Sequence, residues 1–286
     1  MADITIQTCQ PTDAVHLAAR EYLLTREPEH NLLLALTDRS PSQVAEPSAA
    51  FAVALSNETV VGVAVSAPAP GRLLVLSRMT EDVALALAEA LAIQPITIPA
   101  VKGPAAPAEA FATRWSTLKR LRRIVGVHER ILCAETLRPP RATPGQPIYA
   151  SQSHRELLRQ WCDAFLQEIA GRHAPTPNSR IQELVDDRAL YLWLNADRRP
   201  CSMAARVRES SNGATVGLVY TPPALRGSGY AMNCVAALCS DVFASGKTYC
   251  SLYADANNPT SNRLYSALGF EEIGTTQEFL FQPDAA

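Results

Sequence analysis

One run, Val216 to Phe270, limits what this 286-residue chain can fold into more than any other part of it. It opens with strand-like Val216-Gly217-Leu218-Val219-Tyr220-Thr221, turns at Pro222-Pro223, and passes through Arg226-Gly227-Ser228-Gly229-Tyr230-Ala231 into a helical pattern. A loop of this kind aims several unpaired backbone N–H groups one way at a helix start. Two of its positions lack a Cβ, so a phosphate can come close. The run closes with Asn258-Pro259-Thr260-Ser261-Asn262-Arg263-Leu264-Tyr265-Ser266-Ala267-Leu268-Gly269-Phe270, where Asn258 and Tyr265 lie two helical turns apart on one face. The expected ligand is a phosphate-bearing cofactor.

The rest of the composition narrows the class. A hydrophobic content of 47% against 19% charged residues supports a packed core and argues against disorder. A net charge of −2 gives no electrostatic case for nucleic acid or an anionic membrane surface. The cation cluster Lys119-Arg120-Leu121-Arg122-Arg123 reads as the solvated end of a helix. Seven scattered cysteines without a C-x-x-C pair or zinc-ligand spacing fit buried thiols in a reducing compartment. Met1 to Thr5 carries an early acid and no apolar signal core, and Val83 to Ile93 is too short to span a bilayer. The expectation is a soluble, cytoplasmic protein.

The element pattern reads as mixed α/β in two similar halves. A degenerate first domain is expected over residues 1–138, a Pro-rich linker over 139–146, and a second domain over 147–286. The first half offers strands at Ile4–Thr8, Phe51–Leu55, Val60–Val65, Leu73–Leu76 and Ile96–Val101. Its helices start near Pro11-Thr12-Asp13 and run over Thr80–Ile93 and Pro107–Leu121. The second half offers a helix from His154 to Ile169, then strands at Leu190–Leu194, Ser202–Val207 and Thr215–Tyr220. A helix over Gly229–Phe243, a strand over Thr248–Ala254, a helix over Asn258–Leu268 and a strand over Gln277–Phe281 follow. Each half is a mainly antiparallel sheet with a parallel β-α-β end and helices on both faces. Only the second half has the glycine loop. At the matching place after Leu76 the first half reads Ser77-Arg78-Met79-Thr80-Glu81-Asp82, whose acids would repel a phosphate.

Phosphate-loop types separate on spacing. A Rossmann loop fails at Met232, where its third glycine belongs. Ser245-Gly246-Lys247-Thr248 copies the tail of a Walker A loop but ends a helix and enters a strand, the reverse of that order. What remains is [RQ]-x-x-G-x-[GA], read as Arg226 to Ala231, followed by N-x-x-[AS]-x-x-L-Y-x-x-x-G-F. On these residues the chain resembles the GNAT superfamily of acyl-CoA-dependent N-acyltransferases, over roughly Pro147 to Phe281, with tandem members such as mycothiol-synthase-like and glycine-N-acyltransferase-like proteins.

The resemblance implies acetyl-CoA as cofactor and direct acetyl transfer to an amine of a small-molecule or peptide acceptor, with no nucleic-acid or membrane partner and a homo-oligomer as an option. It implies that Arg226, Gly227, Ser228, Gly229, Tyr230 and Ala231 hold the CoA pyrophosphate. Val219 and Thr221 stand where strand backbone holds the pantetheine arm, and the Val219 N–H faces the thioester oxygen. Asn258 is either a cofactor contact or an N-cap before Pro259, and the two can coexist. Tyr265 is either a general acid for the leaving thiolate or a core aromatic. No base is readable, with Asp255 and Glu168 as the available carboxylates and His154 and His173 without partners. No metal site is expected. Two rivals stay open: a non-catalytic acyl-CoA-binding sensor, and an ATP-binding protein, which would need a Mg²⁺-ligating acid near the loop.

Overall fold

The fold is a computed structural model that describes residues 4–8, 14–38, 50–67, 73–170 and 178–283. The chain forms two compact units. The first comprises Met1–Ile131, Ala254–Asn257 and Glu272–Ala286, and the second Leu132–Tyr253 and Asn258–Glu271.

The first unit contains β1 (Ile4–Thr8), α1 (Ala14–Leu24), α2 (Asn31–Thr37), β2 (Phe51–Ser56), β3 (Thr59–Ser66) and β4 (Leu73–Leu76). After these come α3 (Glu81–Ala92), β5 (Ala100–Gly103), α4 (Ala105–Lys119) and β6 (Leu121–Ala134). Its strand order is β1-β2-β3-β4-β5, then the C-terminal strand β12 (Glu271–Pro283), then β6. β2 and β3 meet in a hairpin whose turn residues Asn57 and Glu58 have φ of 48° and 63°, left-handed values that suit a two-residue turn. One sheet face buries Leu74, Leu76 and Val101 under Val83, Leu87 and Leu91 of α3 and Phe111 and Trp115 of α4. The other buries Val53, Val63 and Val75 under Ala19 and Leu23 of α1 and Leu33 and Leu34 of α2. This two-sided burial is why β3 and β4 read as apolar runs without alternation.

The second unit contains β7 (Gln146–Tyr149), α5 (Arg155–Ala170), α6 (Asn178–Asp186), β8 (Leu190–Leu194), β9 (Pro200–Glu209) and β10 (Gly213–Tyr220). Then follow α7 (Tyr230–Ala244), β11 (Tyr249–Asp255) and α8 (Pro259–Ala267). The strand order is β11-β10-β9-β8-β7. β7 to β10 pair antiparallel, and α7 crosses over to the parallel strand β11. Leu158 and Trp161 of α5 and Ile181 and Leu184 of α6 pack on Leu190, Leu192, Met203 and Tyr220. The alternate residue Tyr191 reaches Asp241 of α7 with its hydroxyl, at 2.8 Å. Both units therefore repeat one element order: four antiparallel strands, a helix, and a parallel fifth strand.

β12 pairs antiparallel with β5 and buries Phe279 and Phe281 in the first unit. Two expectations need correction. The cluster at 119–123 is not the end of one helix. Lys119 ends α4, Arg120 turns left-handed at φ 54°, and Leu121 to Arg123 begin β6, which the basic residues disguised. The strand expected at Ile96–Val101 lies at Ala100–Gly103. The helix start at Pro11-Thr12-Asp13, Cys9 and His173 lie outside the described residues. Among the described residues no helix is long and apolar enough to cross a membrane.

Candidate functional site

The second unit's site begins with a fault in β10. Its pairing with β9 shifts register between Gly217 and Tyr220, and Leu218 there adopts a positive φ of 49°. A bulge of this kind bends a strand and increases its twist. On the other edge, parallel pairing with β11 covers only Gly213–Thr215 against Tyr249–Ser251, although β10 runs on to Tyr220. Val219 lies in the bulge, half-buried. The stretch after Thr215 thus offers strand backbone beside a partner from which it has parted.

Below it the chain makes a short 3₁₀ turn, Pro223–Leu225, and enters the glycine loop. Gly227 and Gly229 have φ of 80° and 82°, where an L side chain is strained. A Cβ at Gly227 would meet nothing within 4 Å, whereas one at Gly229 would come 2.6 Å from Thr143 Oγ1. Gly229 is the N-cap of the 15-residue α7, with no side-chain cap and no acid in the first turn. The N–H groups of Tyr230, Ala231 and Met232 precede the first helical bond, from Asn233 N to Gly229 O at 3.1 Å. Exposed Gly227, Ser228 and Gly229 and these N–H groups are the chemistry an oxyanion needs.

The loop is fixed by residues that spacing did not reveal. The Pro-rich stretch Arg138–Gly145 is held by hydrogen bonds to the loop and to the end of α8. Arg138 N donates to Leu268 O at 3.0 Å, and Thr143 Oγ1 donates to Ser228 O at 3.1 Å. Asn233 shares its side-chain N–H groups among Arg141 O, Gly229 O and Thr143 Oγ1 at 3.0, 3.0 and 3.2 Å. A polar Asn at a buried position near the start of α7 was the one signal available.

Arg226 is engaged elsewhere. Its Nη2 donates to both oxygens of Glu168 on α5, at 2.7 and 2.8 Å, and its Nε donates to Thr221 O at 2.9 Å. The Thr221 hydroxyl donates to Ser202 Oγ at 2.9 Å, which in turn donates to Tyr220 O at 3.0 Å. Thr221 thus has its carbonyl and its hydroxyl committed within the protein.

On α8, Asn258 is exposed, and its side-chain oxygen accepts from Thr260 N and Ser261 N, both at 3.2 Å. With Pro259 at the first helical position, this is ordinary N-cap chemistry. Tyr265 is buried, its ring edge-on to Phe270 at 5.8 Å, and burial pushes its phenol above the ordinary value of 10. The phenol therefore stays protonated throughout the neutral range.

The other candidates sort by their partners. Asp255 accepts from Asn257 N at 2.8 Å in a local turn. His154 Nδ1 accepts from Ser151 N at 3.1 Å, a capping contact. Cys250 is buried, and burial pushes the Cys133 and Cys234 thiols up to about 12, which leaves them protonated and poor nucleophiles.

At the corresponding place the first unit is built otherwise. β4 and β5 stay in register over Leu73–Val75, and a Cβ at Gly103 would meet the Leu76 Cβ at 2.8 Å. Past β4, the Arg78 N–H donates to His30 Nε2 at 3.2 Å, and His30 Nδ1 donates to Leu23 O at 3.0 Å. Ser77 Oγ accepts from Val63 N at 2.9 Å. Glu81 and Asp82 occupy the first turn of α3.

Residues 196–280 match the family model described as FR47-like protein. Among solved structures, a GCN5-related N-acetyltransferase from Sphaerobacter thermophilus is similar at 14% identity and TM-score 0.58, over 96% of this chain and 94% of its own. A GNAT-family acetyltransferase from Colwellia psychrerythraea is similar at 13% identity and TM-score 0.59, over 97% and 100%. A tandem GNAT protein from the clavulanic acid biosynthesis pathway follows at 11% identity and TM-score 0.52, over 98% of each chain. No curated protein matches in sequence.

Proposed function

The chain has the GNAT fold, and from that premise we propose that its second unit is an N-acetyltransferase that moves an acetyl group from acetyl-CoA directly to an acceptor amine. The observation that carries this reading is the uncapped N-terminus of α7, which the glycine loop joins to β10, itself paired with β11 only over Gly213–Thr215. Fit is favourable: Gly227 leaves open space, the first turn of α7 carries no acid, and its N–H groups precede the helical ladder.

In this reading the loop Arg226–Ala231 seats the pyrophosphate and the backbone at Val219 and Thr221 guides the pantetheine arm. Acetyl-CoA supplies an activated acyl carbon. The Val219 N–H would donate to the thioester oxygen as charge gathers there, and Asn258 would add a contact through its amide N–H₂. Tyr265 would give its proton to the departing sulfur while the proton lost by the acceptor amine passes to solvent, and the phenol is protonated at neutral pH to do so. Buried, protonated thiols fit direct transfer better than an acyl-enzyme. The first unit, with β4 and β5 in register and the Arg78 N–H already taken, acts in this tandem arrangement without a second cofactor.

Thermal unfolding with acetyl-CoA, CoA, ATP and NADH tests the reading. At about 100 times Kd a ligand stabilises the native state by roughly 2.7 kcal/mol. The expected result is a raised midpoint with acetyl-CoA and CoA that Gly229→Glu abolishes. A shift with ATP or NADH alone overturns the assignment. A second reading, a non-catalytic acyl-CoA-binding protein, draws on the packing of Tyr265 against Phe270, and turnover of Tyr265→Phe separates the two.

A further inference from the structure

The contacts of Arg226 carry an inference that rests on the proposed reading and concerns how the same site loads. Two of its nitrogens make three hydrogen bonds, two to the Glu168 carboxylate at 2.7 and 2.8 Å and one to Thr221 O at 2.9 Å. Its guanidinium carbon also lies 5.9 Å from the Tyr220 ring centroid. The residue that opens the phosphate loop is thus tied to α5 and to the end of β10. We propose that acyl-CoA competes with Glu168 for the Arg226 guanidinium, so that seating the pyrophosphate breaks this pair and releases the Glu168 carboxylate.

Two physical arguments decide the direction. The Arg226 and Glu168 side chains are 47% and 46% exposed. Pairs this exposed shift an equilibrium by only about two- to fivefold. A pyrophosphate brings two negative charges and several acceptor oxygens to the same planar fork, with the N-terminus of α7 behind it. Arg226 stands three positions before Gly229, on the same loop that leads into the first N–H groups of α7. The exchange favours the phosphate. Glu168 then becomes an unpaired carboxylate at the end of β10 only once the acyl donor is seated, which orders donor before acceptor.

Calorimetric titration of CoA into wild type, Glu168→Gln, Arg226→Gln and the double variant tests this, with thermal midpoints confirming that each variant folds. Glu168→Gln is expected to tighten CoA about two- to fivefold, because a competitor is gone. In the Arg226→Gln background the same change is expected to do nothing. Dephospho-CoA should show the same gain, since it keeps the pyrophosphate. Three outcomes overturn the proposal: unchanged or weaker binding in Glu168→Gln, tightening that persists without Arg226, or a gain confined to CoA and absent with dephospho-CoA. If wild type binds neither ligand, the acetyltransferase reading itself fails, a result distinct from all three.

Discussion

At the residue scale, the two loop glycines separate backbone strain from steric room. Both have left-handed φ, so Gly→Ala at either costs about 1–2 kcal/mol of folding stability. Only at Gly229 does the new Cβ also press on Thr143 Oγ1, at 2.6 Å. Gly229→Ala is therefore expected to unfold at lower denaturant than Gly227→Ala and to weaken CoA at least about tenfold, measured by calorimetry. A second residue-scale prediction concerns Tyr265, whose edge-on ring contact with Phe270 a phenylalanine would keep. Tyr265→Phe should keep the CoA Kd and lose about 100-fold in turnover. The wild-type phenol pKa is raised by burial, so the acid form persists above pH 10, and loss of the acid should not limit the rate below that value. An unchanged turnover would return Tyr265 to the core.

At the element scale, Asn258 tests what a cap can also do. Its oxygen accepts both N–H groups of the first turn of α8, and its N–H₂ takes no part in that cap. Asn258→Asp keeps the acceptor and should hold stability while weakening CoA severalfold. Asn258→Ala should cost about 0.5–2 kcal/mol as well. Equal CoA affinity in wild type and Asn258→Asp would leave capping as its whole role. In the first unit, His30 bridges Leu23 O and the Arg78 N–H, and burial lowers its pKa below 6.5. A group depressed in the folded state stabilises fully above its unfolded pKa and loses that contribution as pH falls. Denaturant unfolding should thus show wild type weakening below pH 6.5, with a flatter profile in His30→Ala. Most elements were legible because a helix or strand shows in the period of its own side chains, as in Val83, Leu87 and Leu91 of α3. β6 was not, since Arg122, Arg123 and Arg130 mask its alternation and its fully buried run comes only at Ile131–Ala134.

At the scale of the whole molecule, β12 completes the core of a unit whose other strands lie far earlier in the chain. Phe279 and Phe281 sit buried beside Trp115, so Phe279→Ala should cost about 3–5 kcal/mol, read from the denaturant midpoint. Removing residues 271–286 should abolish the cooperative unfolding of the first unit, seen as lost protection of β5 amides in hydrogen exchange. The sequence by itself determined whatever depends on near neighbours. Examples are the glycine loop at a helix start, the Asn258-Pro259 cap, the Asn57-Glu58 hairpin and the repeated element order. Tertiary structure alone decided who is already engaged. Glu168 claims Arg226 from 58 residues away, Thr143 claims the Ser228 carbonyl from 85 away, and β12 rather than a nearer strand lines β5. Local bias is written in φ/ψ preference and side-chain period, both readable in a short window. Long-range pairing is set by packing, and its closure entropy grows only logarithmically with separation, so distance along the chain leaves no mark by which to find the partner.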